Sequence, residues 1–298
     1  MIRLGIVDFD TSHAVEFTKR LNHVAIAEDQ WVEGARVVAG VPGRSQIAPE
    51  SIPKNLETLK GYGIAILDDP ADLFGKVDAV LVESVDGSVH LDRALPFLSK
   101  GMPTYVDKPF ACSLADAQAM AKVAMERHVP LMSSSSLRYA PEVVAAMGGA
   151  GPAGAIVGVS TYGPAPTHPR NPGLFHYGIH PVEILFTLMG PGCRRVACQS
   201  EPGAEVVVGT WADGRVASVR GIRDGQADYG FTLFGKKAVQ TQGVSTKFIY
   251  RELLRRIVAM FETRQAPIDL RETLEIVAFI EAAGRSAGAG GAPVEIKV

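Results

Sequence analysis

The chain opens with Ile2-Arg3-Leu4-Gly5-Ile6-Val7, a short apolar run that is typical of a buried strand. A polar turn, Asp8-Phe9-Asp10-Thr11-Ser12-His13, follows this run, and an amphipathic segment from residue 14 to about residue 24 follows the turn. A buried strand, a polar turn and a helix in this order form the first half of a βαβ unit. The opening stretch therefore predicts that the chain begins a parallel α/β sheet.

Apolar runs and helical segments continue to alternate up to about residue 135. Further strands are predicted at residues 35–41, 64–67, 78–82, 102–106 and 129–132, with helices at residues 89–99 and 114–127. Near-continuous apolar strands between helices predict a parallel sheet that is covered on both faces. Ligands of such sheets bind outside the carboxyl ends of the strands. Here these ends are residues 8–13, 42–45, 83–87, 107–109 and 133–136.

The pattern changes in the second half of the chain. Strands are predicted at residues 155–162, 205–211, 216–221 and 229–234, and the turn residues between them indicate antiparallel hairpins. Helices are predicted at residues 174–189, 248–263 and 270–287, before a last short strand. We therefore predict an α/β chain with two domains, residues 1–135 with the parallel sheet and residues 136–298 as an α+β unit with an open, mostly antiparallel sheet.

The composition limits the class of protein. With 47% hydrophobic and 21% charged residues, the chain can bury a sizeable core, which excludes a disordered protein or a small disulfide-stapled one. Thirty basic and 32 acidic residues give a net charge of −2, so we expect no nucleic acid partner. The chain has three cysteines without a CxxC pair and no apolar run of about 18 residues. From the first residues, Met1 to Asp8, we expect no signal peptide. We expect a cytoplasmic protein with reduced thiols and no membrane partner.

Three strings occur in a fixed order: Asp107-Lys108-Pro109, Arg138-Tyr139-Ala140-Pro141, and Gly178-Ile179-His180 with Glu183. They resemble the Glu-Lys-Pro motif, the Arg-aromatic-x-Pro segment and the Gly-Val-His-x-x-Asp helix of the Gfo/Idh/MocA family, which includes glucose–fructose oxidoreductase and inositol dehydrogenase. The resemblance extends over essentially the whole chain. It implies a Rossmann-type dinucleotide-binding domain over residues 1–135 and a substrate and oligomerisation domain over residues 136–298.

The resemblance also implies an activity. Members of that family commonly oxidise or reduce a hydroxyl or keto carbon of a sugar, cyclitol or related compound with NAD(P), and they often form oligomers. By resemblance, Lys108 contacts the substrate and the nicotinamide ribose, and His180 lies beside the reacting hydroxyl. A histidine titrates in the range needed to take the hydroxyl proton, and a lysine can hold the developing oxyanion. We therefore predict Lys108 and His180 as catalytic residues, a sugar-like small-molecule substrate, and a homodimer or homotetramer.

The turn after the first strand departs from the family pattern. Asp8, Asp10 and His13 stand where the dinucleotide fingerprint has glycines, which let the backbone approach the pyrophosphate. A carboxylate there accepts from the N–H groups that would hold a phosphate, and it repels that phosphate. Either the cofactor is displaced or no dinucleotide binds. For a displaced cofactor, the predicted binding residues are Asp10, Thr11, Ser12, His13, Arg44, Ser84, Asp107 and Lys108.

The end of the second strand bears on the choice of cofactor. It has no acid to hold the ribose hydroxyls of NAD, and Arg44 follows it instead. An arginine at this position can accommodate a 2′-phosphate, so NADP is favoured over NAD. A solvated arginine in a surface loop is the alternative.

His176 is a second departure, because the family usually has Asp four residues before the histidine. On a predicted helix over residues 174–189, His176 and His180 lie at i and i+4 and project from one face, a spacing that suits a divalent metal. Two histidines alone do not establish a metal site, and we assign none. We predict His176 as a catalytic residue that also lines the substrate site, together with Arg138 and Tyr162.

Three functions stay open at this point. The ordered motifs favour an NAD(P)-dependent oxidoreductase. The missing glycines would also fit a lyase, epimerase or hydratase acting on a keto-sugar, with a metal at His176 and His180. In the third alternative, a non-catalytic sugar-binding relative, Asp8 and Asp10 only cap the first helix.

Overall fold

The computed structural model describes residues 1–149 and 151–298, and it divides the chain into two compact units. The first unit comprises Met1–Ala111, Ala115–Ser134 and Tyr250–Leu270, and the second comprises Cys112–Leu114, Ser135–Ile249 and Arg271–Val298. The predicted domain boundary after residue 135 lies next to Ser134, where the chain passes from the first unit to the second. Residues 250–270 differ from the prediction, because this segment packs within the first unit although it follows the second sheet along the chain.

The first unit contains a parallel sheet of six strands. The strands are β1 (Ile2–Val7), β2 (Ala35–Val41), β3 (Ala65–Ile66), β4 (Ala79–Val82), β5 (Thr104–Val106) and β6 (Leu131–Met132). Their order is β3-β2-β1-β4-β5-β6, and every neighbouring pair is parallel. This is the strand order of a dinucleotide-binding Rossmann fold. The prediction of a Rossmann-type parallel sheet is confirmed.

Four helices accompany these strands: α1 (Ser12–Asn22), α2 (Ser51–Gly61), α3 (His90–Ser99) and α4 (Leu114–Glu126). The sequence did not predict α2, because only Asn55 and Leu59 of this helix are buried and its apolar pattern is therefore weak. The central strands β1 and β4 are apolar without alternation because both faces are covered. Leu4, Val80 and Leu81 are fully buried.

The second unit contains a sheet of seven strands. The remaining elements along the chain are α5 (Pro141–Ala146), β7 (Ile156–Pro164), α6 (Ile179–Met189), β8 (Cys193–Glu201), β9 (Ala204–Trp211), β10 (Val216–Ile222), β11 (Gly230–Gly235), β12 (Val239–Gly243), α7 (Ile249–Thr263), α8 (Leu270–Gly288) and β13 (Val294–Glu295). The strand order is β12-β11-β7-β10-β9-β8-β13, and among the strands that the structure describes here only β7 and β10 pair in parallel. The prediction of an α+β unit with a mostly antiparallel sheet is confirmed.

Strands β8 and β12 were missed because their sequences are polar. In β12 every side chain is exposed or half-buried, which is typical of an edge strand and leaves no apolar alternation to detect. Strand β8 carries two adjacent arginines, and its buried positions include Cys193 and Cys198.

Helix α6 is buried along its entire length and packs on the second sheet. The Thr161 hydroxyl of β7 donates a hydrogen bond to the Pro181 carbonyl of α6 at 2.9 Å. The helix begins at Ile179, after a short 3₁₀ turn over Gly173–Phe175, and not at residue 174 as predicted. His176 therefore precedes the helix, and the expected i, i+4 pair with His180 on one helix face is wrong.

Over the two described stretches of the chain, no helix has the length and apolar character needed to cross a membrane.

Candidate functional site

The turn between β1 and α1 begins with an aspartate in a backbone conformation that favours glycine. Asp8 has a φ of +69°, in the left-handed region where only glycine is unstrained. Its carboxylate accepts hydrogen bonds from the Ser84 hydroxyl and from Nε of Arg93, the latter at 2.9 Å. The carboxylate lies so close to Gly43 that a Cβ at that position would overlap it. Asp8 is thus held in place by the ends of two neighbouring strands.

Asp10 is the second buried acid of this turn. Its Oδ1 accepts from the Val85 amide at 3.1 Å, and the Ser45 hydroxyl also bonds to the carboxylate. Burial raises the pKa of Asp10 above its ordinary value, although these hydrogen bonds oppose the shift. The Asn55 side-chain amide donates to the carbonyls of Phe9 and Thr11 and fixes the backbone of the turn.

The first turn of α1 uses its own side chains as caps. Thr11 is the N-cap residue, and its hydroxyl accepts from the His13 amide at 3.3 Å. Ser12, the first residue of the helix, is exposed. The predicted cofactor residues Asp10 and Thr11 are therefore engaged in contacts within the unit.

His13 connects α1 to the end of β5. Its Nδ1 lies 2.8 Å from Oδ2 of Asp107, and its Nε2 lies 3.2 Å from the hydroxyl of Tyr250 in α7. The ring stacks on Phe17 with 4.9 Å between ring centroids. The structure thus brings together two of the predicted cofactor residues, His13 and Asp107.

Glu83, directly after β4, lies beside this pair. It is completely buried, and its Oε2 is 3.8 Å from Nδ1 of His13. Within the described part of the chain, neither of its carboxylate oxygens has a hydrogen-bond partner. Burial, reinforced by the charge of Asp107, raises the pKa of Glu83 well above its ordinary value. Glu83 begins the predicted strand end at residues 83–87 but stands in none of the motifs, and its position as an acid directly after a buried strand is the only sequence signal for it.

Asp107 and Lys108 follow β5. Burial disfavours the charged form of Asp107, but the charges of His13 and Lys108 outweigh it and lower the pKa of Asp107 to about 2. The carboxylate also accepts from the Lys108 amide at 2.7 Å. Lys108 is itself buried, with 7% of its surface exposed, and the peptide bond to Pro109 is cis.

A cleft of about 390 Å³ lies at the ends of β1, β2 and β3. Its lining includes Arg44 and Arg93 as well as Asp8 and Asp68. Arg44 is exposed, and the Arg93 guanidinium forms its ion pair with Asp8 through Nε. The predicted cofactor residue Arg44 therefore faces an open cleft in the first unit.

His180 is the principal candidate residue of the second unit. It lies in the first turn of α6, and its Nδ1 is 2.7 Å from the hydroxyl oxygen of Ser135. That oxygen also accepts from the Leu137 amide at 3.1 Å. The imidazole meets the rings of Tyr229 and Tyr177 edge-on, at 5.6 and 5.8 Å between centroids. Ser135 belongs to the strand end at residues 133–136, where ligand contacts were expected, whereas no sequence motif indicated Tyr229 as a neighbour of His180.

Arg138, predicted to contact substrate, lies in a buried ion-pair network instead. Its Nε donates to Glu183 at 2.8 Å, and its Nη2 donates to Glu272 at 2.6 Å. Burial disfavours the charged guanidinium, but the two carboxylates outweigh it and raise the pKa of Arg138 further above its ordinary value. Glu183 also accepts from the Ser135 amide at 3.2 Å. In this structure Arg138 supports the residues beside His180.

The two other predicted substrate residues lie in different places. His176 precedes α6, where its ring is 5.7 Å from that of His168 and its Nδ1 is 3.5 Å from the side-chain amide of Asn171. Tyr162 neighbours Thr161 on β7, and Thr161 contacts α6, so alternation places Tyr162 on the opposite face of the sheet. The structure therefore does not bring Tyr162 to His180.

Comparison with known proteins agrees with this architecture. Residues 36–135 match the family model GFO_IDH_MocA, described as an oxidoreductase family with an NAD-binding Rossmann fold. The dehydrogenase aclE of Aspergillus oryzae is 31% identical over 147 residues, which are 48% of this chain and 38% of that protein. The chain spans less than two-fifths of the length of the curated relatives that it matches.

Solved structures match over essentially the whole chain. The myo-inositol dehydrogenase of Corynebacterium glutamicum superposes with a TM-score of 0.82 at 13% identity, covering 100% of this chain and 99% of that one. The myo-inositol dehydrogenase of Lactobacillus casei, in complex with NAD(H) and myo-inositol, gives a TM-score of 0.79 at 16% identity, covering 100% and 97%. At these identities the structures show the fold alone.

The strand order of the first unit is that of the Rossmann fold named in the description of the matching family model. Residues 36–135 are thus similar to the Gfo/Idh/MocA oxidoreductase family, the family that the sequence motifs resemble.

A dinucleotide is the cofactor that this family implies, and the turn after β1 can be tested for its fit. A glycine-rich turn holds the pyrophosphate by close approach of the backbone at a helix N-terminus. Here the buried carboxylates of Asp8 and Asp10 stand in that turn. The turn does not fit a pyrophosphate in that position.

Proposed function

We propose that the protein is an NAD(P)-dependent oxidoreductase that acts on a hydroxyl or keto carbon of a sugar, cyclitol or related compound. The observation that carries this proposal is Lys108. It is buried at the carboxyl end of β5, next to the ionised Asp107, inside the region that matches an NAD-binding oxidoreductase family. The fold shared with an inositol dehydrogenase that binds NAD(H) and myo-inositol supports a polyol-like substrate.

His180 and Lys108 divide the acid–base work in this proposal. A carbinol carbon is oxidised only as its hydroxyl loses a proton, so a base must reach that proton. His180, held at Nδ1 by Ser135, presents Nε2 for this purpose. The ammonium of Lys108, in the first unit, is a group that can stabilise a developing oxyanion. His176, with His168 beside it, offers hydrogen-bonding groups for substrate hydroxyls.

NADP is the proposed dinucleotide, bound away from the β1–α1 turn. Arg44 and Arg93 line the cleft at the strand ends, and two cationic side chains suit a 2′-phosphate better than the hydroxyls of NAD. Ser12, which is exposed at the start of α1, offers its hydroxyl group to a displaced pyrophosphate, whereas the hydroxyls of Thr11 and Ser84 are hydrogen-bonded within the unit. Because Asp8 and Asp10 exclude the usual position, we assign no role in the reaction to the dinucleotide phosphates.

We further propose a homodimer or homotetramer that forms through the open face of the second sheet. Exposed apolar side chains on that face include Val208, Val216, Phe234 and Val239. A contiguous apolar face on a sheet is a common interaction surface. Light scattering on the purified protein measures the oligomeric state directly, and a monomer would contradict this part of the proposal. A cytoplasmic location stays a prediction from the sequence.

Titration of the purified protein with NADPH and with NADH tests the cofactor proposal. We expect NADPH to bind more tightly, and Arg44→Ala to reduce this preference while Arg36→Ala, a substitution on β2 away from the cleft lining, leaves it unchanged. Binding of neither dinucleotide would overturn the proposal. Equal binding of NADPH and NADH would be compatible with the proposed oxidoreductase, but it would contradict the proposed role of Arg44 in the preference for NADPH.

A further inference from the structure

Three buried side chains with metal-ligand atoms meet in the first unit, at the carboxyl edge of its sheet. His13, Glu83 and Asp107 come from α1, the end of β4 and the end of β5, and their ligand atoms all lie within 4.8 Å of one another. Nδ1 of His13 is 2.8 Å from Asp107 and 3.8 Å from Glu83. An imidazole and two carboxylates form a donor set that is common for divalent transition metals.

Glu83 provides an independent reason to place a ligand here. Its side chain is fully buried, and no hydrogen bond from the rest of the described chain reaches either carboxylate oxygen. An isolated buried carboxylate is costly, and buried polar groups are almost always satisfied by a partner. The carboxylate is 3.8 Å from the His13 nitrogen and is therefore directed into the cluster.

The charged groups around the cluster favour the binding of a cation. The carboxylates of Asp10 and Asp107 and the ammonium of Lys108 all act electrostatically on Glu83. Three carboxyl groups therefore surround the cluster, with Lys108 and His13 as the basic groups beside them. Asp8 is not part of this set, because Arg93 pairs with it. A lining rich in carboxyl groups favours a cation over an anion.

We propose that His13, Glu83 and Asp107 bind a divalent transition metal ion, with Zn²⁺ and Mn²⁺ as the first candidates. Neighbouring groups already orient two of these ligands. The Tyr250 hydroxyl meets the second nitrogen of His13 at 3.2 Å, and the Lys108 amide donates to Asp107. Such contacts fix ring orientation and ligand basicity in metal sites. Three protein ligands leave a coordination position for water or another oxygen donor.

Calorimetric titration of the chelator-treated protein with ZnCl₂ and with MnCl₂, without substrate or dinucleotide, tests the site. We expect one equivalent of at least one metal to bind, and Glu83→Gln to weaken binding by about tenfold or more. Glu126→Gln, at an exposed glutamate, is the matched control and should bind as the wild type does. His176→Gln controls for adventitious binding at the histidines of the second unit.

A second variant does not depend on the stability of the Glu83 variant. His13→Gln removes the imidazole ligand of the cluster and should also weaken metal binding by about tenfold or more. Should Glu83→Gln not fold, His13→Gln takes its place in the comparison.

Three results would overturn the site: no binding of either metal, undiminished binding by the Glu83 and His13 variants, or loss of binding only in His176→Gln. Since neither substrate nor dinucleotide is present, these results bear on the metal site and leave the proposed oxidoreductase activity to its own tests.

Discussion

The hydroxyl oxygen of Ser135 lies 2.7 Å from Nδ1 of His180, and both residues are buried. The same oxygen accepts from the Leu137 amide, and a serine oxygen has two lone pairs. It can therefore also accept from the imidazole, which places the ring proton on Nδ1 and leaves Nε2 able to take a proton. Ser135 is a positioning residue in this account, because it acts on the substrate only through His180.

Replacing Ser135 by alanine should lower kcat about tenfold, and it should shift the pH dependence of kcat, because the orientation and basicity of His180 both change. KM should change less than kcat. Ser135→Thr, which keeps the hydroxyl, should recover much of the loss, and Ser218→Ala on the open face of the second sheet serves as the control. A uniform loss of activity with an unchanged pH profile would indicate a structural role only.

Removing the acids of the β1–α1 turn should improve dinucleotide binding. The variant Asp8→Gly/Asp10→Gly removes two buried carboxylates, and glycine adopts the positive φ of residue 8 without strain. We expect NADPH affinity to rise about tenfold in fluorescence titrations, since phosphate repulsion falls. Asp213→Gly, at an exposed turn, is the control. Weaker binding by the double variant would mean that these acids contact the dinucleotide themselves.

The Asp107 carboxylate should contribute to stability above about pH 4 and lose this contribution in acid. Its pKa in the folded protein is about 2, below the ordinary value of 3.8, so the unfolded chain takes up its proton first as the pH falls. Asp107→Asn should reduce the free energy of unfolding by about 2 kcal/mol near pH 6, and the difference should shrink between pH 4 and pH 2. Urea unfolding across this pH range measures it, and a difference independent of pH would contradict the assignment.

The ion pairs of Arg138 should be important for the stability of the second unit. Arg138→Met leaves the buried Glu183 without its cation and should cost about 3–5 kcal/mol. Arg255→Met breaks an exposed pair with Glu252 and should cost less than about 1 kcal/mol. Urea unfolding of both variants makes the comparison, and equal losses would show that burial of the Arg138 network has little effect.

The parallel sheet could be predicted from the sequence because its strands are buried on both faces. An apolar run such as Ile2–Val7 is visible in the sequence without any knowledge of its neighbours. Strand β12 could not be predicted, since its pairing with β11 depends on backbone hydrogen bonds and not on apolar side chains. The packing of α7 within the first unit could not be predicted either, because it depends on contacts between residues far apart in the sequence.

The candidate site was only partly predictable for a similar reason. Lys108 and His180 could be predicted as site residues because they stand in ordered motifs, and their roles stay predictions. The contact between His13 and Asp107 joins residues 94 positions apart, and no local pattern encodes it. The helix start at Ile179 was missed because the segment before α6 is apolar, although Gly178 marked a possible boundary. That single difference separates His176 from the helix of His180.

Turnover measured by nicotinamide absorbance is a direct test of the proposed oxidoreductase activity. The purified protein would be incubated with NADP⁺ or NAD⁺ and a panel of cyclitols, aldoses and polyols. We expect reduced cofactor to accumulate with at least one of these compounds, Lys108→Ala and His180→Ala to lower the rate at least about a hundredfold, and Lys122→Ala, at an exposed lysine, to retain it. Conversion of such a compound at the same rate without any dinucleotide would contradict the proposed oxidoreductase.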